Sequence, residues 1–207
     1  MVRTLSTMLP LGTPLPEFEL AVVKGTQPFR DTELRDLNQI NHRNLGVKKP
    51  VLLMIICAHC PFVKYVEKEL TMLDKDYGDR VQMLAIASNS LVTHPQDGPE
   101  QLALQSKQQG WTFPYLLDID QNLARSLKAA CTPDFFLFSA EKDGYQSLRY
   151  RGQLDSSRPG DKIPLNGKDL RLALDAVLEG KEVFADQKPS IGCNIKWHPG
   201  KEPPWFG

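Results

Sequence analysis

The chain is expected to fold as an α/β protein, a three-layer α/β/α sandwich around a mixed central sheet. Three features lead there. Val51 to Ile56 is a run of six apolar residues, the composition of a strand buried on both faces of a parallel sheet. Directly after it the apolar period changes. Phe62, Val66, Leu70, Leu73 and Tyr77 recur at spacings of four, four, three and four, which is one face of an α-helix. Strands and helices then alternate, and Asp143-Gly144 marks a hairpin between the last two strands of that series, adding an antiparallel edge to a parallel core.

Bulk properties narrow the class. At 207 residues the chain suffices for one domain, read here as 1–207, with a full hydrophobic core. Lys and Arg number 25 against 25 Asp and Glu, with no basic cluster, which argues against nucleic acid or a membrane surface as partner. The first eighteen residues hold one arginine, prolines at 10, 14 and 16, and no apolar stretch long enough for a signal peptide or a span. Four cysteines, at 57, 60, 131 and 193, are too few and too scattered for a disulfide scaffold. A cytoplasmic protein with reduced thiols, monomeric or homodimeric, is expected.

Residues 1–16 are expected to form an arm over the surface. Phe18 to Val23 is a short strand closed by Lys24-Gly25. Over 31–46, Leu34, Leu37, Ile40 and Leu45 suggest one helical face, against which Asn38, Asn41 and Asn44 weigh. The helix after the first buried strand ends near Tyr77-Gly78. Val81 to Ala87 is a second buried strand. His94-Pro95 and Gly98-Pro99 make 91–99 a loop. Pro99 to Gln109 is a helix closed by Gly110, Phe113 to Leu117 is extended, and Gln121 to Ala130 is a short helix. Phe135 to Phe138 and Tyr145 to Gly152 are the hairpin strands. Gly167 to Leu178 is a helix with Leu170, Leu174, Val177 and Leu178 on one face. The proline-rich tail, 186–207, is expected to be irregular and to lie on the domain through Ile191, Ile195 and Trp197.

Chemistry concentrates at Cys57-Ala58-His59-Cys60-Pro61, where the buried strand hands over to the helix. Pro61 suits the first helical turn, where its missing N–H costs nothing. Unpaired amides and the positive end of the helix dipole favour an anion there, and a thiolate is an anion. Structural core cysteines would not sit at the mouth of a turn. Zinc is disfavoured, because one CxxC with an internal histidine offers too few ligands and His42, His94 and His198 show no paired spacing.

Thr132-Pro133 before an apolar strand matches the cis-proline loop that faces the CxxC in thioredoxin-fold proteins. More widely, the chain resembles the peroxiredoxin-like branch of the alkyl hydroperoxide reductase and thiol-specific antioxidant (AhpC/TSA) family. The resembling blocks are Leu11 to Phe18, Cys57 to Lys64, Thr112 to Leu116, Cys131 to Phe138, Tyr150 to Gly152, Asp155 to Gly160 and Pro189 to Cys193. They span nearly the whole chain. Ala58 stands where the branch usually has Asn, and 31–50 is longer than its usual linker. The resemblance implies a thioredoxin fold with N-terminal additions, a cis Pro133, no cofactor, and electrons from a thioredoxin or glutathione system.

On this basis Cys57 is the expected nucleophile, exposed at the helix edge, and Cys60 resolves its mixed disulfide from one turn further in. His59 is expected to stabilise the Cys57 thiolate, or else to be a solvated turn residue. Thr132 and Pro133 would offer backbone to an incoming substrate chain. A competing alignment with the peroxiredoxin pattern Thr-x-x-Cys-Pro makes Cys60 peroxidatic and puts Cys57 in place of the threonine. That alignment lacks the threonine hydroxyl and the usual arginine, for which Arg149 or Arg151 would have to stand in. Cys131 is either a third redox cysteine or a buried thiol, and Cys193 is expected to pair with Cys131 or to act as a resolving cysteine. Asp134, Arg151, Asp155 and Arg158 otherwise read as fold-holding charges. The resulting expectation is a thiol–disulfide oxidoreductase of redox homeostasis acting on protein or small-molecule disulfides. Two alternatives remain: a thiol peroxidase reducing peroxides, and a redox-sensing or binding domain without turnover.

Overall fold

The computed structural model describes residues 3–26, 30, 34–140 and 144–206. In chain order the elements are β1 (Arg3–Leu5), β2 (Glu19–Val22), β3 (Gln39–Asn41), β4 (Val51–Ile55), α1 (Pro61–Tyr77), β5 (Gln82–Ala87), α2 (Pro99–Gln109) and β6 (Tyr115–Leu117). They continue with α3 (Asn122–Ser126), β7 (Cys131–Thr132), β8 (Asp134–Ala140), β9 (Gln146–Gly152), α4 (Lys168–Leu178) and β10 (Ile191–Asn194).

The main sheet is mixed, in the order β3-β2-β6-β5-β4-β8-β9. β4 pairs parallel with β5 and antiparallel with β8, while β5 and β6 are parallel. β4 therefore has a strand on each side and a layer on each face, which is why it reads as unbroken apolar sequence. Its alternate residues serve opposite layers. Leu52 and Met54 meet α1, α2 and α4 through Val66, Leu70, Leu102 and Leu174. Leu53 and Ile55 meet α3 and the chain ends through Leu123, Leu127, Ile195 and Trp197. The three-layer expectation holds, with the second outer layer thin: one short helix and irregular chain.

Two expectations fail. Of the helix considered over 31–46, residues 31–33 lie outside the described residues, and 34–46 are instead a turn, the strand β3, and a 3-10 turn at His42–Leu45. The asparagines decide this. The Asn41 side chain accepts from the N–H groups of Arg43 and Asn44, and the Asn44 side chain accepts from the Asn41 N–H. Such side chains favour caps over helix interiors.

The chain ends are the second correction. The tail is not wholly irregular and the arm is not merely laid on the surface. β10 lies between β1 and β7 in a second, three-stranded sheet. Further on, Lys196 O accepts from Gln121 Nε2 and from the Ser90 N–H, and the Arg125 guanidinium stands 4.8 Å from the Trp197 ring centroid. The Asp143-Gly144 turn falls partly outside the described residues, but its flanking strands β8 and β9 pair antiparallel. Among the described residues, no helix is long and apolar enough to cross a membrane.

Because Leu53 is wholly buried in the central strand, Leu53→Ala is expected to cost about 2–5 kcal/mol. A urea unfolding midpoint unchanged from wild type would contradict that placement.

Candidate active site

β4 ends at Ile55, and the Ile56 N–H still bonds to Ile86 O at 3.1 Å. The chain then turns outward through Cys57, Ala58 and His59, and α1 begins at Pro61 with Cys60 as its N-cap. The position at the helix terminus thus belongs to Cys60, not to Cys57. Neither sulfur is open. Cys57 is 1% exposed and Cys60 0%, so the expected exposed nucleophile is absent from this conformation.

The two thiols bond to each other, with Cys57 the donor. That bond pushes the Cys57 thiol well up, burial adds to it, and the nearby Asp97 carboxylate disfavours a charge on this sulfur further. The same bond, received, holds Cys60 well below the ordinary thiol range against its own burial; the Thr132 hydroxyl, the Cys193 thiol and the Val63 amide of the first turn act in the same direction. One contact opposes. Cys60 Sγ lies 3.3 Å from Thr132 O, to which it donates when protonated. The direction for the pair is that Cys60 is the more readily ionised sulfur and Cys57 the less.

Asp97 is a site residue that sequence reasoning missed. It is 1% exposed and clamps the turn. Its Oδ1 accepts from the N–H groups of Ala58 at 3.0 Å and His59 at 3.1 Å. Its Oδ2 takes His59 Nδ1 at 2.5 Å and Asn89 Nδ2 at 2.8 Å. Burial works against its charge, but the donors from His59 and Asn89 prevail, and the carboxyl is held below its usual range. Its only sequence signal is an acidic residue in the His94-Pro95 to Gly98-Pro99 loop, which any solvated turn would share. His59 stacks on His94 with ring centroids 5.3 Å apart, and its Nδ1 is 3.9 Å from Cys57 Sγ. That nitrogen is held by Asp97.

Thr132-Pro133 is cis, and the Thr132 hydroxyl is 3.7 Å from Cys57 Sγ. The backbone edge of Thr132 is not free for an incoming chain, because Cys193 of β10 is its ladder partner. Cys193, 4% exposed, donates its thiol to Cys60. Cys131, one residue from Thr132, projects to the other side, where its Sγ meets Pro133 O at 3.8 Å; burial, foremost, pushes its thiol well up. Arg151 directs its guanidinium to Leu9 O at 2.9 Å and Gln187 Oε1 at 2.7 Å, which fits a fold-holding charge.

Cys57, His59 and Asp97 bring ligand atoms within 4.8 Å of one another, a set the spacing of histidines did not suggest. Two ligands of one tetrahedral zinc at about 2.0–2.1 Å stand roughly 3.3 Å apart, whereas His59 Nδ1 and Asp97 Oδ2 are separated by 2.5 Å. The spacing is that of a hydrogen bond.

A strand-to-helix turn carrying two free thiols three residues apart, faced by a cis proline, defines a thioredoxin-like thiol redox protein. The AhpC/TSA family profile matches residues 11–145, more than half of the chain, and the protein belongs to that family. Among solved structures, an uncharacterized conserved protein from Geobacillus kaustophilus is 42% identical, with 96% of this chain and 98% of that one covered at a TM-score of 0.84. A hypothetical protein from Sinorhizobium meliloti 1021 is 37% identical, covering 94% and 98% at a TM-score of 0.81. A thioredoxin-like protein solved in its oxidized form shares the fold at 19% identity, 84% and 100% coverage and a TM-score of 0.58. No curated protein matches. Family and fold together make this a redox protein of the thiol oxidoreductase or peroxidase kind.

Because the folded Asp97 carboxyl is held below its unfolded value, its contribution to stability is present above about pH 3.9 and is lost as pH falls through the folded value. Asp97→Asn is expected to flatten that acid-side decline and to lower the Cys57 thiol toward the ordinary range. Denaturant midpoints against pH, and thiolate absorbance of wild type and variant, check both; identical curves would refute the clamp.

Proposed function

We propose that this chain is a dithiol oxidoreductase that cycles Cys57 and Cys60 between two thiols and an intramolecular disulfide. What supports this is the placement of Cys60 as N-cap of α1 with Cys57 three residues before it, both sulfurs meeting Thr132 of the cis Thr132-Pro133 peptide, and a Cys60 thiol held below its ordinary range. Cys60 is accordingly the first nucleophile. Its thiolate attacks a disulfide, forms a mixed disulfide and releases one sulfur as thiolate. Cys57 loses its proton, attacks Cys60 Sγ, and expels the second sulfur as thiol. A thiolate lowered in this way makes the Cys57–Cys60 disulfide more oxidising, since the reduced form is the one stabilised. A thioredoxin or glutathione system is the proposed source of electrons.

A second substrate class is favoured by one observation. Cys60 is fully covered and the Thr132 edge is taken by β10, which suits a small oxidant better than a polypeptide. With a hydroperoxide, the Cys60 thiolate takes the terminal oxygen as sulfenic acid, and the alkoxide or hydroxide released takes a proton from solvent to leave as alcohol or water. Cys57 then attacks Cys60 Sγ, water departs, and the same Cys57–Cys60 disulfide results.

The classes separate by insulin reduction and by hydroperoxide consumption, each coupled to a reductant. Cys57→Ser and Cys60→Ser are both expected to drop disulfide turnover to the level of free cysteine. Peroxide consumption no faster than free cysteine would remove the peroxidase reading, and inactivity in both assays would remove catalysis. In wild type, ultraviolet absorbance of a thiolate is expected to rise at least about one pH unit below the free-cysteine value of about 8.5. Its persistence in Cys60→Ser would reassign the charge to Cys57.

A further inference from the structure

β10 is held along both edges. Arg3 pairs with Cys193, Thr4 with Gly192 and Leu5 with Ile191 on one side; Thr132 pairs with Cys193 and Cys131 with Asn194 on the other. Directly opposed residues of an antiparallel ladder project to the same face. Thr132 already reaches Cys57 with its hydroxyl and Cys60 with its carbonyl. Cys193, opposite Thr132, is thereby placed on the redox side, while Cys131 faces away.

The approach is unusually close. A Cβ at position 192 would lie 2.0 Å from Thr132 O and 2.6 Å from its carbonyl carbon. Only glycine lets β10 come this near to the residue before the cis proline. The chain's own strand thus occupies the place that strand addition would give an incoming peptide, and it presents a thiol to Cys60 there.

We propose that β10 is an internal substrate and Cys193 a third redox cysteine, to which the disulfide passes by attack of Cys193 on Cys60. This rests on the Cys57–Cys60 dithiol cycle above. The exchange is redox-neutral. The Cys193 Sγ–Cys60 Sγ bond forms as the Cys57–Cys60 bond breaks, and the proton of Cys193 ends on Cys57. Cys57 is a suitable acceptor, because apart from its contact with Cys60, burial and the nearby Asp97 carboxylate both disfavour a charge on it. In the reduced state burial keeps Cys193 protonated, its thiol pushed up to about 12, so Cys60 alone is charged until an oxidant arrives. After exchange the tail is stapled to the start of α1.

The test uses the full chain. Reduced protein is given a stoichiometric amount of hydrogen peroxide, quenched by acid, alkylated under denaturing conditions and mapped by peptide mass. Wild type is expected to yield Cys60–Cys193 beside Cys57–Cys60. Cys193→Ser should yield Cys57–Cys60 alone. Gly192→Ala, which removes no sulfur, is expected to lower the Cys60–Cys193 share several-fold, with far-ultraviolet circular dichroism checking that the fold survives. Wild-type protein that forms Cys57–Cys60 in full while Cys193 remains wholly alkylated overturns the relay and leaves the dithiol cycle standing. Absence of any disulfide at Cys57 in Cys193→Ser overturns the dithiol cycle itself.

Discussion

A cysteine held low at the start of α1, Cys60, is the feature around which the site is arranged. A thiolate buried as deeply as Cys60 is costly unless donors surround it. The structure supplies them from four parts of the chain: the Cys57 thiol before the helix, the Val63 amide within it, the Thr132 hydroxyl beside the cis proline, and the Cys193 thiol of the tail. Asp97 completes the pattern from the other side. Its own charge is satisfied by the turn it holds, and with the Cys60 contact and burial it disfavours a charge on Cys57.

That arrangement explains why the two chain ends fold together. β1 covers one edge of β10, and β10 covers β7. Lys196 O ties the tail to Gln121 and to the Ser90 amide, with Asn89 joining the tail at the Lys196 N–H and Asp97 in the site. The residues that position the tail are thus shared with those that position the CxxC turn. Closing the Thr132 edge with an internal strand also removes an open strand edge, a known liability.

Much of the architecture was legible in the chain. β4 shows itself by composition, α1 by its period, and α2 and α4 by glycine and proline at their ends; each rests on local spacing. The redox turn was legible for the same reason, since Cys57, Cys60 and Pro61 lie within five residues. β3 and the 3-10 turn at His42–Leu45 were not, because reciprocal asparagine caps override a weak apolar period. β10 was hidden by its shortness and by a glycine that alternation counts against a strand. That glycine is required by the close backbone of Thr132, sixty residues away in sequence.

The sequence by itself determined the fold class and the location of the thiol chemistry, since each is written in contiguous residues with a definite spacing, while the proline loop facing that chemistry followed from the family resemblance. Only the tertiary structure decided which sulfur caps the helix, that Asp97 charges the far side of Cys57, and that Cys193 meets Cys60. Those depend on electrostatic and hydrogen-bond distances of a few ångströms between segments that no local pattern relates. The physical reason is that a thiol's charge state follows from its three-dimensional surroundings, while a strand or a helix follows largely from its own residues.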